Sequence, residues 1–404
     1  MENRYLFIFI LSLLLLFSSC DENFTSPKEI KLDLKSKELI EMDNSFGIDL
    51  FQRLSQKEEG NFTISPLSIS LALAMTYNGA REETKMAMEK AMHLHGLSPQ
   101  EINSSYQSLV KALLEADPKV QLDIAQSIWY RMGFKVQEDF KLINQTYYDA
   151  EVNELDFDRP DALAIINGWI ADRTHDKITD MIDFIMPTHV MFLINAIYFN
   201  GEWKTKFDTS DTQKQNFITE NDSIFEVDMM SKTDSVNFQN NELFSSIELP
   251  YGRGNFNMVV LLPNDGVTCD QITAELSPEN WKKWMSAYAM TKDLSIYLPK
   301  FKTAFEIKLN DILSDMGMGI AFHDGANFEG INTDLDIYID YVQHNTFIDV
   351  SEKGTEAAAA TVVAMTWKMA PLTFNVNKPF IYAITEKETG AILFIGKIVE
   401  PSYN

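Results

Sequence analysis

Positive charge is scarce in this sequence. Lys and Arg total 34 against 59 Asp and Glu, a net charge of −25, so most faces would repel a phosphate backbone or an anionic membrane surface, and nucleic acid is discounted as a partner. Cysteine is scarcer still, with Cys20 and Cys269 alone. Common enzyme signatures are missing: there is no Gly-x-Ser-x-Gly elbow, no His-Glu-x-x-His and no Gly-x-x-x-x-Gly-Lys phosphate loop. The histidines are His93, His95, His175, His189, His323 and His344. Only His93 and His95 lie close together, after a helical run with no acidic or Cys neighbour, so they read as a solvated loop and no metal site is expected. Paired carboxylates are too plentiful at this acidity to point to acid–base chemistry. Between residues 37 and 404 no repeat and no Gly/Ser linker divides the chain, which implies one domain.

What is present begins with an export signal. Arg4, the apolar run "YLFIFILSLLLLF" and the small-residue exit "SSC" are too short together for a membrane span, which needs about 20 apolar residues. The pair of small residues before Cys20 resembles the bacterial lipobox. That implies a signal peptide over 1–19, a lipid on Cys20 and an outer-membrane or cell-surface lipoprotein of a Gram-negative bacterium, with Asp21 and Glu22 similar to acidic export tags. Cys269 is then a single thiol, and stability must come from the core rather than a disulfide. Residues 20–36 are polar and patternless and read as a tether.

Beyond the tether, Phe46, Leu50, Phe51 and Leu54 recur at helical spacing. Ser65 and Pro66 open a second helix that Gly79 stops, apolar nearly all round and so expected to be buried. "VMFLINAIYFNGEW" reads as a central strand covered on both faces, "FNMVVLLP" and "LSIYLPKF" as further strands, and "PFIYAITEKETGAILFIGKIV" as a hairpin. Helices dominate the first third and strands the rest, an α+β arrangement.

Several strings together resemble the serpin family of protease inhibitors. "NFTISPLSI" matches a family segment at Asn61, Ser65, Pro66, Ser68 and Ile69, and "FLINAIYFNGEWKTKF" its signature strand at Asn195, Phe199, Gly201, Trp203 and Phe207. "ELPY", "LPKF", "NKPF" and "FIGKIVEP" follow in family order. The resemblance implies helices around a large mixed five-stranded central sheet with smaller sheets, over 37–404. It also implies a reactive-centre loop at about 352–376, no cofactor and no catalysis by the protein itself. Ser65, Asn195 and His344 resemble the polar cluster that holds the main sheet closed, and Trp203 the residue near the sheet top where the loop enters. Asp176 stands where the family generally has Gly. "SYQSLVKALLEADPKVQ" lacks a heparin-type basic face, and a monomer is expected.

"EKGTEAAAAT" resembles the hinge of inhibitory members: Glu352, Gly354, Thr355, Glu356, Ala357, Ala358, Ala359, Ala360 and Thr361. An inserted strand alternates faces, so Thr355, Ala357, Ala359, Thr361 and Val363 would point inward, and none is bulky or charged. Proline is absent from the hinge until Pro371. About ten new ladder bonds at roughly 1 kcal/mol each would rival a domain's whole stability. Counting as the family does from Glu352, and back from Asn377, both give Lys368 as the residue before the cleaved bond, with Met369 after it. Met365, Thr366, Trp367 and Ala370 flank it. Lys368 suits a trypsin-like pocket; Val363, Ala364 and Met365 would suit elastase-like or subtilisin-like ones. The expectation is an irreversible inhibitor of serine proteases, and of some cysteine proteases, with a non-inhibitory binding or carrier protein as the alternative.

Overall fold

The computed structural model describes residues 26–354 and 372–403. Helix α1 (Leu34–Lys57) starts where the Asp33 carboxylate accepts from the Ser36 amide at 2.7 Å, and it buries the Phe46, Leu50, Phe51, Leu54 stripe. The tether is therefore shorter than the expected 20–36. Helix begins at Leu34, and Lys28 is already held: its amide donates to Asn255 Oδ1 and its carbonyl accepts from Asn255 Nδ2, both at 2.8 Å. Ile30 and Leu32 pack on the core behind it.

After β1 (Phe62–Ile64), helix α2 (Pro66–Tyr77) is capped by Ser65 as expected and is buried on nearly every side. Helices α3 (Glu82–Ala91) and α4 (Pro99–Leu114) follow, then β2 (Val120–Arg131), α5 (Glu138–Tyr148), β3 (Glu151–Leu155), α6 (Ala162–Arg173) and β4 (Met191–Gly201). The second half is mostly strand: β5 (Gln213–Ile218), β6 (Ile224–Asn240), β7 (Phe244–Pro250), β8 (Phe256–Pro263), then helices α7 (Cys269–Glu275) and α8 (Pro278–Ser286). Strands β9 (Ala289–Pro299) and β10 (Phe301–Lys308), the short α9 (Asn310–Leu313), β11 (Gln343–Val350), β12 (Thr373–Asn375), β13 (Phe380–Glu386) and β14 (Ile392–Ile398) complete the chain. The expected hairpin is β13–β14, buried along both strands because its apolar runs have no polar face to show water.

The architecture is α+β with a large mixed sheet system. One long path runs β1-β14-β13-β8-β7-β6-β9-β12, with β5 on β6. The five central strands occur as two ladders, β3-β2-β4 and β10-β11. Among the described residues no ladder joins β4 to β11, which leaves a seam in the middle of the central sheet.

The fold corrects one local reading and supplies the geometry of another stretch. His93, in a loop as expected, does have an acidic neighbour, Asp49 Oδ2 at 3.4 Å, brought by α1 from far away in sequence. At Asp176, where a glycine was the family norm, the chain turns through two successive left-handed residues, His175 (φ 50°) and Asp176 (φ 59°), a conformation a short polar side chain tolerates.

A buried polar knot ties the sheets together. Thr63 Oγ1 lies 3.1 Å from Thr303 Oγ1 on β10 and 2.8 Å from the Tyr382 hydroxyl on β13, while Thr346 Oγ1 on β11 donates to the Thr63 carbonyl at 2.8 Å. Thr63→Val keeps the shape but removes the hydroxyl that both Thr303 and Tyr382 bond, so it is expected to cost about 2 kcal/mol. A thermal melt that does not move would show the knot to be passive.

Candidate functional site

The seam ends at its top in a tight turn. At the end of β11, Ser351 and Gly354 exchange backbone bonds of 3.0 and 3.1 Å, and Gly354 bridges Glu202 beyond β4. Both bridges are antiparallel, so β4 and β11 run in one direction and Gly354 faces both. Glycine is required twice over. Its φ is 101°, and an added Cβ would lie 2.3 Å from the Gly201 carbonyl oxygen and 2.5 Å from the Trp203 amide nitrogen.

Trp203 holds this turn. Its ring Nε1 donates to the Ser351 carbonyl at 2.8 Å and its amide to the Lys353 carbonyl at 3.1 Å. The indole is buried and stacks on Tyr251 at 4.3 Å, 13° from parallel, with Phe207 edge-on. Glu352 is buried as well. Its carboxylate accepts from Thr212 Oγ1 at 2.8 Å and pairs with Lys300 at 3.0 Å, and its carbonyl accepts from the Phe207 amide at 3.0 Å. Burial alone would raise this carboxyl's pKa, but its own amide, Thr212 and Lys300 outweigh burial and hold it below the usual range. Lys300 in turn lies 4.2 Å from the Tyr403 ring centroid.

Halfway down the seam lies the second polar group. His344, on β11, accepts from the Ser65 amide through Nε2 at 3.0 Å. Asn195, on β4, accepts from Ser68 Oγ at 2.5 Å. The Ser65 hydroxyl is spent on the α2 cap, 3.3 Å from the Ser68 amide. Between the two strands lies a cavity of about 420 Å³ lined by Ile69, Leu73, Asn195, Ile331, Gln343 and His344 among others. Asn195 Nδ2 and Gln343 Oε1 are buried without a hydrogen-bond partner among the described residues. Burial alone pushes the His344 pKa down to about 3, so the ring is neutral and its accepting Nε2 puts the proton on Nδ1.

The structure thus gathers Ser65, Asn195 and His344 at mid-seam, though His344 meets the Ser65 backbone and Asn195 meets Ser68, which the sequence offered only as a landmark. Trp203, Glu352 and Gly354 meet at the top. Tyr251 and Lys300, inside the quoted "ELPY" and "LPKF", join them with no role assigned from the sequence, as do Ser351, directly before Glu352, and Thr212, a single polar residue with no local pattern around it. Thr355 to Thr361, Met365, Thr366, Trp367, Lys368, Met369, Ala370 and Cys20 lie outside the described residues.

The sequence profile described as serpin (serine protease inhibitor) matches residues 41–401. The chain belongs to the serpin family. It is 33% identical to an uncharacterised serpin-like protein of Methanosarcina mazei over 97% of this chain and 96% of that one. The native state of tengpin, a thermophilic serpin, superposes with a TM-score of 0.83 at 32% identity, covering 92% of this serpin and 96% of tengpin. Human thyroxine-binding globulin, solved with thyroxine, gives 0.83 at 25% identity over 91% and 100% of the two chains.

Two outcomes follow. Gly354→Ala is expected to cost about 2–3 kcal/mol, through the left-handed φ and the collision with Gly201, read as a fall in melting temperature. For His344, the unfolded chain binds more protons than the native one between about pH 6.5 and 3, so its contribution to stability is lost as pH falls through that window, by about 2 kcal/mol at pH 5. Asp43 acts in the opposite sense. Burial raises its pKa to about 6, so its contribution is full below the ordinary carboxylate range and is lost as pH rises through about 6. His344→Gln should therefore flatten the acid-side loss of melting temperature, and an unchanged pH slope would exclude the ring as its source.

Proposed function

We propose that this serpin is an irreversible inhibitor of serine proteases that traps its target by inserting its cleaved loop between β4 and β11. The observation that carries the reading is the Ser351–Gly354 turn, which already sets the chain antiparallel to both flanking strands. Each residue past Gly354 steps one position back along each strand. Continued in that register from Glu202 and Ser351, Thr361 would fall opposite Asn195 and His344 together. The two counts are independent and agree, and the side chains the insert would turn inward, Thr355, Ala357, Ala359 and Thr361, are small and uncharged.

In this reading the protease attacks the bond after Lys368, and the Lys side chain fills an acidic primary pocket while Met365, Thr366, Trp367, Met369 and Ala370 occupy neighbouring subsites. The acyl-enzyme is the protease's own chemistry, and this chain supplies bait and spring. Trypsin-like targets come first, with elastase- or subtilisin-like enzymes using bonds near Val363 to Met365. The export signal and Cys20 extend the proposal to a lipid-anchored protein of the Gram-negative envelope. The second reading, a carrier on the same scaffold, has the thyroxine-binding globulin likeness behind it.

The test incubates the chain from Asp21 onward with trypsin. A denaturant-resistant band at the summed mass, with a released peptide beginning at Met369, is expected, and Lys368→Ala should slow trapping by roughly 100-fold or more. Cleavage without a covalent band, trypsin remaining active, would favour the carrier.

A further inference from the structure

The seam is also fastened at its lower end, by groups with no part in the hinge or the mid-seam cluster. His189, two residues before β4, and Asp340, three before β11, meet with His189 Nε2 3.0 Å from Asp340 Oδ2. Each side is bolted to its own ladder. Arg131 of β2 donates through Nε to the His189 carbonyl at 2.9 Å and through Nη2 to the Met186 carbonyl at 3.1 Å. Asn310, just past β10, donates to the Asp340 carbonyl at 2.8 Å and accepts from the Val342 amide at 3.0 Å.

The His189 proton is placed by its surroundings. Nδ1 accepts from the Met186 amide at 3.2 Å, so a neutral ring carries its hydrogen on Nε2 and gives it to Asp340. The ring is buried, stacked on Phe184 and edge-on to Phe192 and Tyr341. A second tie runs beside it. Lys308, the last residue of β10, lies over Phe184 and Tyr341 at 5.6 and 5.2 Å and reaches Asp183 at 4.0 Å.

We propose that His189 and Asp340, reinforced by Lys308, form a clamp that holds the lower ends of the two ladders together and limits how readily β4 and β11 separate. Along the seam above it, no ladder between the described residues does that work. The clamp concerns the resting protein and does not depend on inhibition. It differs from a simple stabilising contact in where its loss is felt: opening should be local to the seam.

Hydrogen exchange on the intact exported chain tests this. Asp340→Asn weakens the charge-assisted bond while keeping the volume, and is expected to speed exchange at the amides of 190–194 and 341–345 by about tenfold. Protection in the β13–β14 hairpin should not change. Lys308→Met, which keeps the stem on a half-exposed residue, should give the same pattern more weakly even if Asp340→Asn folds poorly. Exchange that rises uniformly across the domain, or stays fixed at the seam in both variants, overturns the clamp, whatever the trypsin experiment yields.

Discussion

Between β4 and β11 the backbone ladder of the central sheet is broken, and the rest of the molecule is arranged around that break. A strand edge in a sheet interior is costly because each unmatched amide and carbonyl forgoes about a hydrogen bond's worth of free energy. Here the edges flank a cavity whose lining includes buried polar atoms without partners, Asn195 Nδ2 and Gln343 Oε1. A fold that leaves such groups unsatisfied holds free energy that another strand could release.

Among the described residues, what keeps the two ladders in register is therefore the backbone bonds at the turn and a small number of side-chain contacts. At the top, Trp203 binds the turn through a buried bond to the Ser351 carbonyl, and Lys300 and Thr212 bind it through charge-assisted bonds to Glu352. At mid-seam, neutral His344 and Asn195 are fixed from below by α2, whose cap residue Ser65 and first-turn Ser68 supply their partners. Lower down come His189 and Asp340. Contacts of this kind are few, and the proposed insertion requires that about ten ladder bonds together outweigh their sum.

Much of this was legible in the sequence. The Ser65–Pro66 start, the all-apolar α2 and the "MFLINAIYFNG" strand announced themselves through capping chemistry and periodicity, and Gly354 through its place before four alanines. The tether boundary was misplaced because Lys28 is held by Asn255, a contact across most of the chain that no local pattern encodes. For the same reason His93 looked solitary, although Asp49 of α1 stands beside it. Tyr251, Thr212 and Lys300 act only in combination, and their roles emerge when β4, β9 and the β11 turn converge. His344 showed the reverse: the sequence marked it as structural, and only its burial and the Ser65 amide explain why it stays uncharged.

The docking of Lys28 also sets the length of the leash. If the lipid sits on Cys20, seven residue steps separate it from Pro27, the neighbour of the first residue clasped by Asn255. Even fully stretched, that segment spans roughly 25 Å. In a chain with a net charge of −25, the point where the domain begins would then be held within about three Debye lengths of the lipid headgroups. It could patrol only a thin layer of solvent, and a protease would have to come to the membrane to meet it.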